Sequence, residues 1–177
     1  GWLSIDDWCA LAQVNATTTG LSFFNSGPDA GASQPHRHLQ LLPRGALEPI
    51  CARQDWFQSC AEGTTDLAGD PLLHSCRVVP LNPNPNGEVL HQIYLSLARD
   101  LELGTPAQEG RPRGAYNLLL SRDWMAMVRR RMEGIRGFSV NALGFAGSLL
   151  STEASDRAWI ERSGPEALLQ AVVEPVG

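Results

Sequence analysis

Asn25-Ser-Gly-Pro-Asp-Ala-Gly-Ala-Ser-Gln-Pro-His-Arg-His-Leu-Gln-Leu-Leu-Pro43 runs from a glycine-rich turn straight into a segment of alternating character. Strand side chains point to opposite faces at each step, so as a strand the segment places His36, His38 and Gln40 on one face, away from Arg37 and Leu39. Two imidazoles and a carboxamide then share a surface. Upstream, Gly27, Gly31, Ala32 and Ser33 are small enough to let backbone N–H groups approach an anion, and the Ser33 hydroxyl adds a donor. The same glycines also suit a plain tight turn; the His-x-His-x-Gln run beside them is what favours the anion cradle. Leu21-Ser-Phe-Phe24 reads as a short strand, and Pro43 ends the second one, so the whole is a hairpin presenting the histidines. A nitrogen nucleophile beside an anion cradle points to nucleotidyl transfer.

Outward from this hairpin the chain mixes both kinds of element. Ser4-Ile-Asp-Asp7 looks like a helix N-cap with an acidic first turn, followed by the apolar stripe Trp8, Leu11, Ala12. Trp56 to Cys60 is too short to assign, and Leu72 to Leu81 reads as a strand with His74 on one face. The repeated Asn-Pro of Leu81-Asn-Pro-Asn-Pro-Asn-Gly87 marks a turn or linker. Glu88 to Leu103 has helical apolar spacing, which predicts Val89, Ile93 and Leu97 buried together and His91 exposed. Gly104 to Gly114 is a Pro/Gly loop. Tyr116 to Leu120 and Trp124 to Val128 look like paired strands around Ser121-Arg-Asp, Ser139 to Leu143 like a third, and Ser155 to Ile160 and Pro165 to Val173 like closing helices. Strands and helices without a βαβ rhythm predict an α+β fold with an antiparallel sheet.

With 177 residues, 43% of them hydrophobic, the chain has enough material for a substantial core. No run of about 18 apolar residues is present and the first residues do not form a basic-then-apolar leader, so neither a membrane span nor a signal peptide is expected, and the cytoplasm is the expected location. A net charge of −5 argues against a nucleic-acid platform, although Arg129-Arg130-Arg131 offers local charge for a small polyphosphate. All fourteen basic residues are arginine, which codon bias explains better than function does, so no function is read from the missing lysines. Cys9, Cys51, Cys60 and Cys76 form no Cys-x-x-Cys pair, and no four-ligand set including His36, His74 and Cys76 emerges from the spacings, so no metal site and no zinc hydrolase is expected.

The run Gly-Ala-Ser-Gln-Pro-His-Arg-His-Leu-Gln-Leu-Leu-Pro resembles the active-site motif of the histidine-triad-like superfamily, with Gln40 at the third triad position as in its transferase branches. Tyr116-Asn-Leu-Leu-Leu-Ser-Arg-Asp-Trp-Met125 and Gly137-Phe-Ser-Val-Asn-Ala-Leu-Gly-Phe-Ala-Gly147 are similar to the C-terminal region of the ATP adenylyltransferases, also called diadenosine tetraphosphate (Ap4A) phosphorylases. The resemblance implies a histidine-triad-like sheet with flanking helices, a catalytic region over 1–87 and an adenylyltransferase-type region over 88–177. It also implies that the N-terminal part of the family fold is missing here, so that the chain is a fragment, a short paralogue or one that borrows the missing half from a second copy.

By the same resemblance His38 is the nucleophile, Gln40 binds a non-bridging oxygen and His36 braces the site. Asn25, Gly27, Gly31, Ala32, Ser33 and Gln34 form the phosphate loop, and Met125, Arg130 and Asn141 approach the nucleotide, although Met125 reads equally as core. Arg129 and Arg131 stand where the family has proline and a small polar residue. The implied reaction turns Ap4A and phosphate into ATP and ADP through an adenylyl-histidine. The implied partners are nucleotides and phosphate, with magnesium carried by the polyphosphate, no tightly bound cofactor and a homodimer as the assembly. Hexose-1-phosphate uridylyltransferases share the His-x-His-x-Gln motif, and a non-catalytic nucleotide-binding module is the alternative from another class.

Overall fold

The computed structural model describes residues 1–45, 47–64 and 69–176. The first helix, α1 (Ile5–Thr17), starts where Ser4 and Asp7 cap each other: the Asp7 N–H donates to Ser4 Oγ at 3.3 Å, and the Ser4 N–H donates to Asp7 Oδ2 at 2.7 Å. Asn86 caps α3 (Gly87–Asp100) by accepting from the Val89 N–H at 2.9 Å. These two helices pack side by side, with Gly87 against the backbone of Cys9.

Five strands form one antiparallel sheet: β1 (Gly20–Asn25), β2 (Gln40–Pro43), β3 (Cys76–Pro80), β4 (Ala115–Leu120) and β5 (Trp124–Arg130), in the order β2-β1-β4-β5-β3. The regions on either side of residue 87 therefore contribute to a single sheet. Ser121 closes the β4–β5 hairpin: its N–H donates to Trp124 O at 2.9 Å while its hydroxyl oxygen accepts from the Asp123 and Trp124 N–H groups at 3.1 Å.

Alternation divides the sheet into two faces, each covered by helices. Phe24, Tyr116, Leu118, Leu120, Met125 and Met127 face α1 and α3, where they meet Trp8, Leu11, Leu90, Tyr94 and Leu97. Leu21, Phe23, Leu119, Trp124, Ala126 and Val128 face the opposite layer. That layer contains α2 (Gln54–Glu62), a small hairpin of β6 (Gly134–Ile135) and β7 (Phe138–Ser139), α4 (Ala142–Phe145), α5 (Arg157–Ser163) and α6 (Pro165–Ala171). Trp124 stacks on Phe57 of α2, with ring centroids 4.4 Å apart.

Several expectations need correction. The strand expected from His36 begins only at Gln40, because β1 pairs with β2 no further than Phe23 with Gln40, and Pro35, without an N–H, has no ladder bond to give. Ser139 to Leu143 is not a strand: β7 ends at Ser139, and Asn141 accepts from the Leu143 and Gly144 N–H groups to start α4. Pro71–His74 is a tight 3₁₀ turn capped by Asp70, so His74 precedes β3 instead of lying on it. In α3 the buried stripe is Leu90, Tyr94, Leu97 and Ala98, leaving Val89 exposed and Ile93 and His91 half-buried. The apolar pattern allowed either rotation; the buried Tyr94–Tyr116 hydroxyl contact of 2.7 Å goes with the observed one.

Candidate active site

Beyond β1 the chain makes a turn at Pro28–Ala30, crosses Gly31 to Gln34 and returns through His36 and His38 to Gln40 at the start of β2. A cleft of about 330 Å³ opens between this loop and the β6–β7–α4 segment, lined by Asn25, Gly31, Ala32, Ser33, His36, His38 and Gln40 on one side and by Glu133, Ser139, Asn141 and Leu150 on the other. His36 and His38 lie close together, with ring centroids 5.3 Å apart and planes tilted by 42°. Although they precede the strand, both imidazoles line the same cleft as Gln40. Arg37 points away from it: the guanidinium pairs with Asp7 at 3.2 Å and donates to Trp2 O, tethering the loop to the start of α1.

The loop's donors are divided differently from the expectation. The Ala30, Gly31 and Ala32 N–H groups close the turn onto Gly27 O and Pro28 O, so they are not available to an anion. The Ser33 and Gln34 N–H groups take no part in that turn; both residues are exposed, Ser33 lining the cleft and Gln34 the pocket beside it. Gly31 is needed for a steric reason. Its φ is +75°, and a Cβ there would lie 2.7 Å from Val140 O and 2.9 Å from Asn141 Cβ. The loop therefore touches the opposite wall of the cleft at this glycine.

Of the three expected nucleotide contacts, Met125 and Arg130 lie away from the cleft and Asn141 lines it. Met125 is fully buried on the sheet face that packs against α1 and α3, the face opposite the cleft, because its register partner Leu120 faces that way. Arg130 is only 3% exposed and every guanidinium N–H is used: Nε donates to Val172 O, Nη1 to Asn117 Oδ1 and Val140 O, and Nη2 to Met132 O and Glu133 O. It braces the cleft from beneath and does not line it. Burial pushes its pKa down to about 10, with the Glu133 and Asp29 charges opposing, and it stays cationic at neutral pH. Asn141 lines the cleft, but its Oδ1 is committed to capping α4. The three consecutive arginines diverge: Arg129 pairs with Glu102 at 3.0 Å, and Arg131 donates to Ala171 O.

Sequence reasoning missed Asn117, Glu133 and Ser139. Asn117 sits opposite Asn25 in the β1–β4 register and diagonally from Arg130, which stands opposite Ala115. Its Nδ2 donates to Asn25 Oδ1 at 2.7 Å and to Ala30 O at 2.8 Å. An asparagine amid the leucines of a strand was the available signal, since that residue type is depleted in strands. Glu133 accepts from Ser139 Oγ at 2.6 Å on the far wall. Nothing in the local pattern marked either of these two. Among the described residues no group of three or more His, Cys, Asp or Glu side chains is placed to hold a metal ion. No described helix is long and apolar enough to cross a membrane.

Residues 71–175 match the family model described as the ATP adenylyltransferase C-terminal domain, and residues 1–52 match that of the Ap4A phosphorylase N-terminal domain. Protein APA1 of Saccharomyces cerevisiae is 27% identical over 158 residues, covering 81% of this chain and 48% of its own length. Diadenosine 5',5'''-P1,P4-tetraphosphate phosphorylase 2 of the same yeast is 27% identical over 144 residues, covering 73% of this chain and 44% of its own. The chain spans about half the length of these relatives. Crystal structures of the yeast Ap4A phosphorylase Apa2 share the fold. One superposes with a TM-score of 0.70 at 22% identity, over 99% of this chain and 64% of that one. Another, in complex with Ap4A, gives 0.69 at 21% over 99% and 65%.

Proposed function

The chain belongs to the ATP adenylyltransferase family, and from that membership we propose that it carries the nucleotidyl-transfer centre of an Ap4A phosphorylase, with His38 as nucleophile. The observation that supports this most is the placement of His36, His38 and Gln40 along one cleft that Ser33 also lines. An imidazole nitrogen of His38 attacks the α-phosphate of Ap4A; the N–P bond forms as the bridging P–O bond breaks, and ATP leaves with that electron pair. An oxygen of inorganic phosphate then attacks the same phosphorus, the N–P bond breaks, and ADP is released with His38 regenerated. Imidazole serves both steps because it is nucleophilic when neutral and a good leaving group. The Ser33 hydroxyl and the Ser33 and Gln34 N–H groups hold non-bridging oxygens, Gln40 donates its amide to the transferred phosphoryl group, and His36 braces its neighbour. Asn25 and Asn141 shape the cleft walls.

Magnesium enters as part of the polyphosphate substrate, needing no dedicated cage of protein ligands. We place this chemistry in the cytoplasm, where the free thiols of Cys9, Cys51, Cys60 and Cys76 stay reduced. Self-association belongs to the same reading: β2 and β3 are the edges of the sheet, and pairing through an edge gives a homodimer, which light scattering reads as a doubled mass.

The test is to incubate the protein with labelled Ap4A in the absence of phosphate and map any adduct by mass spectrometry. An adenylyl group on His38, discharged as ADP when phosphate is added, is the expected result. His38→Ala should abolish the adduct and lower turnover by as much as about 10⁶-fold, the scale seen when an enzyme loses its nucleophile. An adduct on His36 or His91 instead, with His38 unmodified, would sink the assignment.

A further inference from the structure

The two walls of the cleft are tied together from beneath by a single buried polar chain. Arg130 Nη1 donates to Asn117 Oδ1 at 2.5 Å and to Val140 O at 2.8 Å, which anchors both Asn117 and the segment leading into α4. Because a guanidinium only donates, the Asn117 oxygen must face it, and this turns the amide nitrogen toward the loop. That nitrogen serves two acceptors: Ala30 O in the phosphate-loop turn and Asn25 Oδ1 at the end of β1. The Asn25 oxygen in turn accepts from the Ala142 N–H at 2.9 Å, at the start of α4. Loop 27–34 is thus bonded to Asn117 itself and segment 140–145 to its two partners, Arg130 and Asn25, and the two walls touch each other at Gly31. Asn117 is fully buried and does not line the cleft.

We propose that Asn117, anchored by Arg130, is a positioning residue for nucleotidyl transfer: it sets the gap between the Ser33 loop and the Asn141 wall in which the reacting phosphate meets His38. Asn117 bonds the loop directly at Ala30 O and reaches the other wall through two neighbours, Arg130 to Val140 O and Asn25 to the Ala142 N–H. Arg130 suits the anchor because its acceptors are all neutral oxygens and its five donors are all used, so the chain has one hydrogen-bonding arrangement. The inference rests on the proposed transfer at His38 but is tested separately from it.

Asn117→Asp keeps an acceptor, now charged, for Arg130 but cannot donate to Ala30 O or Asn25 Oδ1. The folded variant should lose about 10²-fold in kcat, the scale of a displacement of about 1 Å at a reacting centre, while KM for Ap4A changes less than about threefold. A side chain that only stabilised the fold would lower the melting temperature and leave kcat of the folded protein intact, and that outcome overturns the proposal. Amide hydrogen exchange needs no substrate and provides the second arm, in Asn117→Asp and in Arg130→Lys should the first fold poorly. Residues 27–34 and 140–146 should exchange faster together, with β4 and β5 unchanged. Faster exchange in one wall alone, or in neither, also overturns it. A wild-type protein that forms no adenylyl adduct defeats the transfer reading, while the exchange experiment still decides whether Asn117 couples the two walls.

Discussion

Gln40 stands at the first position of β2, opposite Phe23, so the sheet fixes its backbone while the two histidines before it sit on free chain. A carboxamide donates and accepts hydrogen bonds but cannot relay a proton, so it stabilises charge on a phosphoryl oxygen without activating water. Gln40→His should therefore raise the ratio of AMP to ADP released from Ap4A in the presence of phosphate. An unchanged or lower ratio in a folded variant would refute that role for the amide. The pattern His-x-His-x-Gln was legible from residue types alone. The use of Arg130 was not, because five neutral oxygens from four parts of the chain converge on it only after folding.

Between the helices, α1 and α3 meet closely where α3 begins. A Cβ on Gly87 would come within 2.6 Å of Cys9 N, Cα and Sγ, so α1 and α3 are held at a separation only glycine permits. Gly87→Ala should destabilise the protein by about 1–3 kcal/mol, read as a lower urea midpoint with an unchanged slope, as overpacking does. A midpoint equal to wild type would mean that α1 slides aside at no cost. The helix itself was readable from its period, but its rotation was not. With apolar residues at 89, 90, 93, 94 and 97 two adjacent stripes compete, and Tyr94 faces the core where it meets Tyr116 and Trp8. The β6–β7 hairpin was likewise hidden. Its turn carries Arg136 at φ +52°, a conformation usually left to glycine or asparagine, here accompanied by a 3.3 Å pair with Asp156 and the ring of Trp159.

The fold buries two thiols and two phenols and half-buries a third thiol, and their acidities respond in the same direction. Burial pushes the Cys60 thiol to about 11, helped by the Asp70 charge, and pushes Cys51 and Cys76 upward as well. It also raises Tyr94 and, further, Tyr116, whose neighbour Tyr94 adds to the effect. A folded pKa above the unfolded one means that the native state keeps protons the unfolded chain releases, so the associated stability is intact below the ordinary thiol value of 9.0 and is lost as pH rises toward 11. Arg130, whose pKa is lowered, acts in the opposite sense above about pH 10, one group against five. Calorimetric melting temperatures should hold up to about pH 9 and fall between pH 9 and pH 11. A flat profile would contradict the burial of these groups.

The sequence by itself determined the fold class, the hairpin region that carries the histidines and the family, since each depends on residue types at short spacing: a period of two or 3.6, a capping serine, a glycine turn, a His-x-His-x-Gln. Tertiary structure alone decided which polar groups remain available for chemistry. Gly31 and Ala32 looked like phosphate donors until the turn consumed their N–H groups, and Met125 and Arg130 looked like nucleotide contacts until register placed one on the far face and the other beneath the cleft. A hydrogen-bonding group has only as many partners as its atoms allow, and those partners come from segments distant in the chain. Local pattern therefore shows which groups could act, and only the assembled sheet shows which are already occupied.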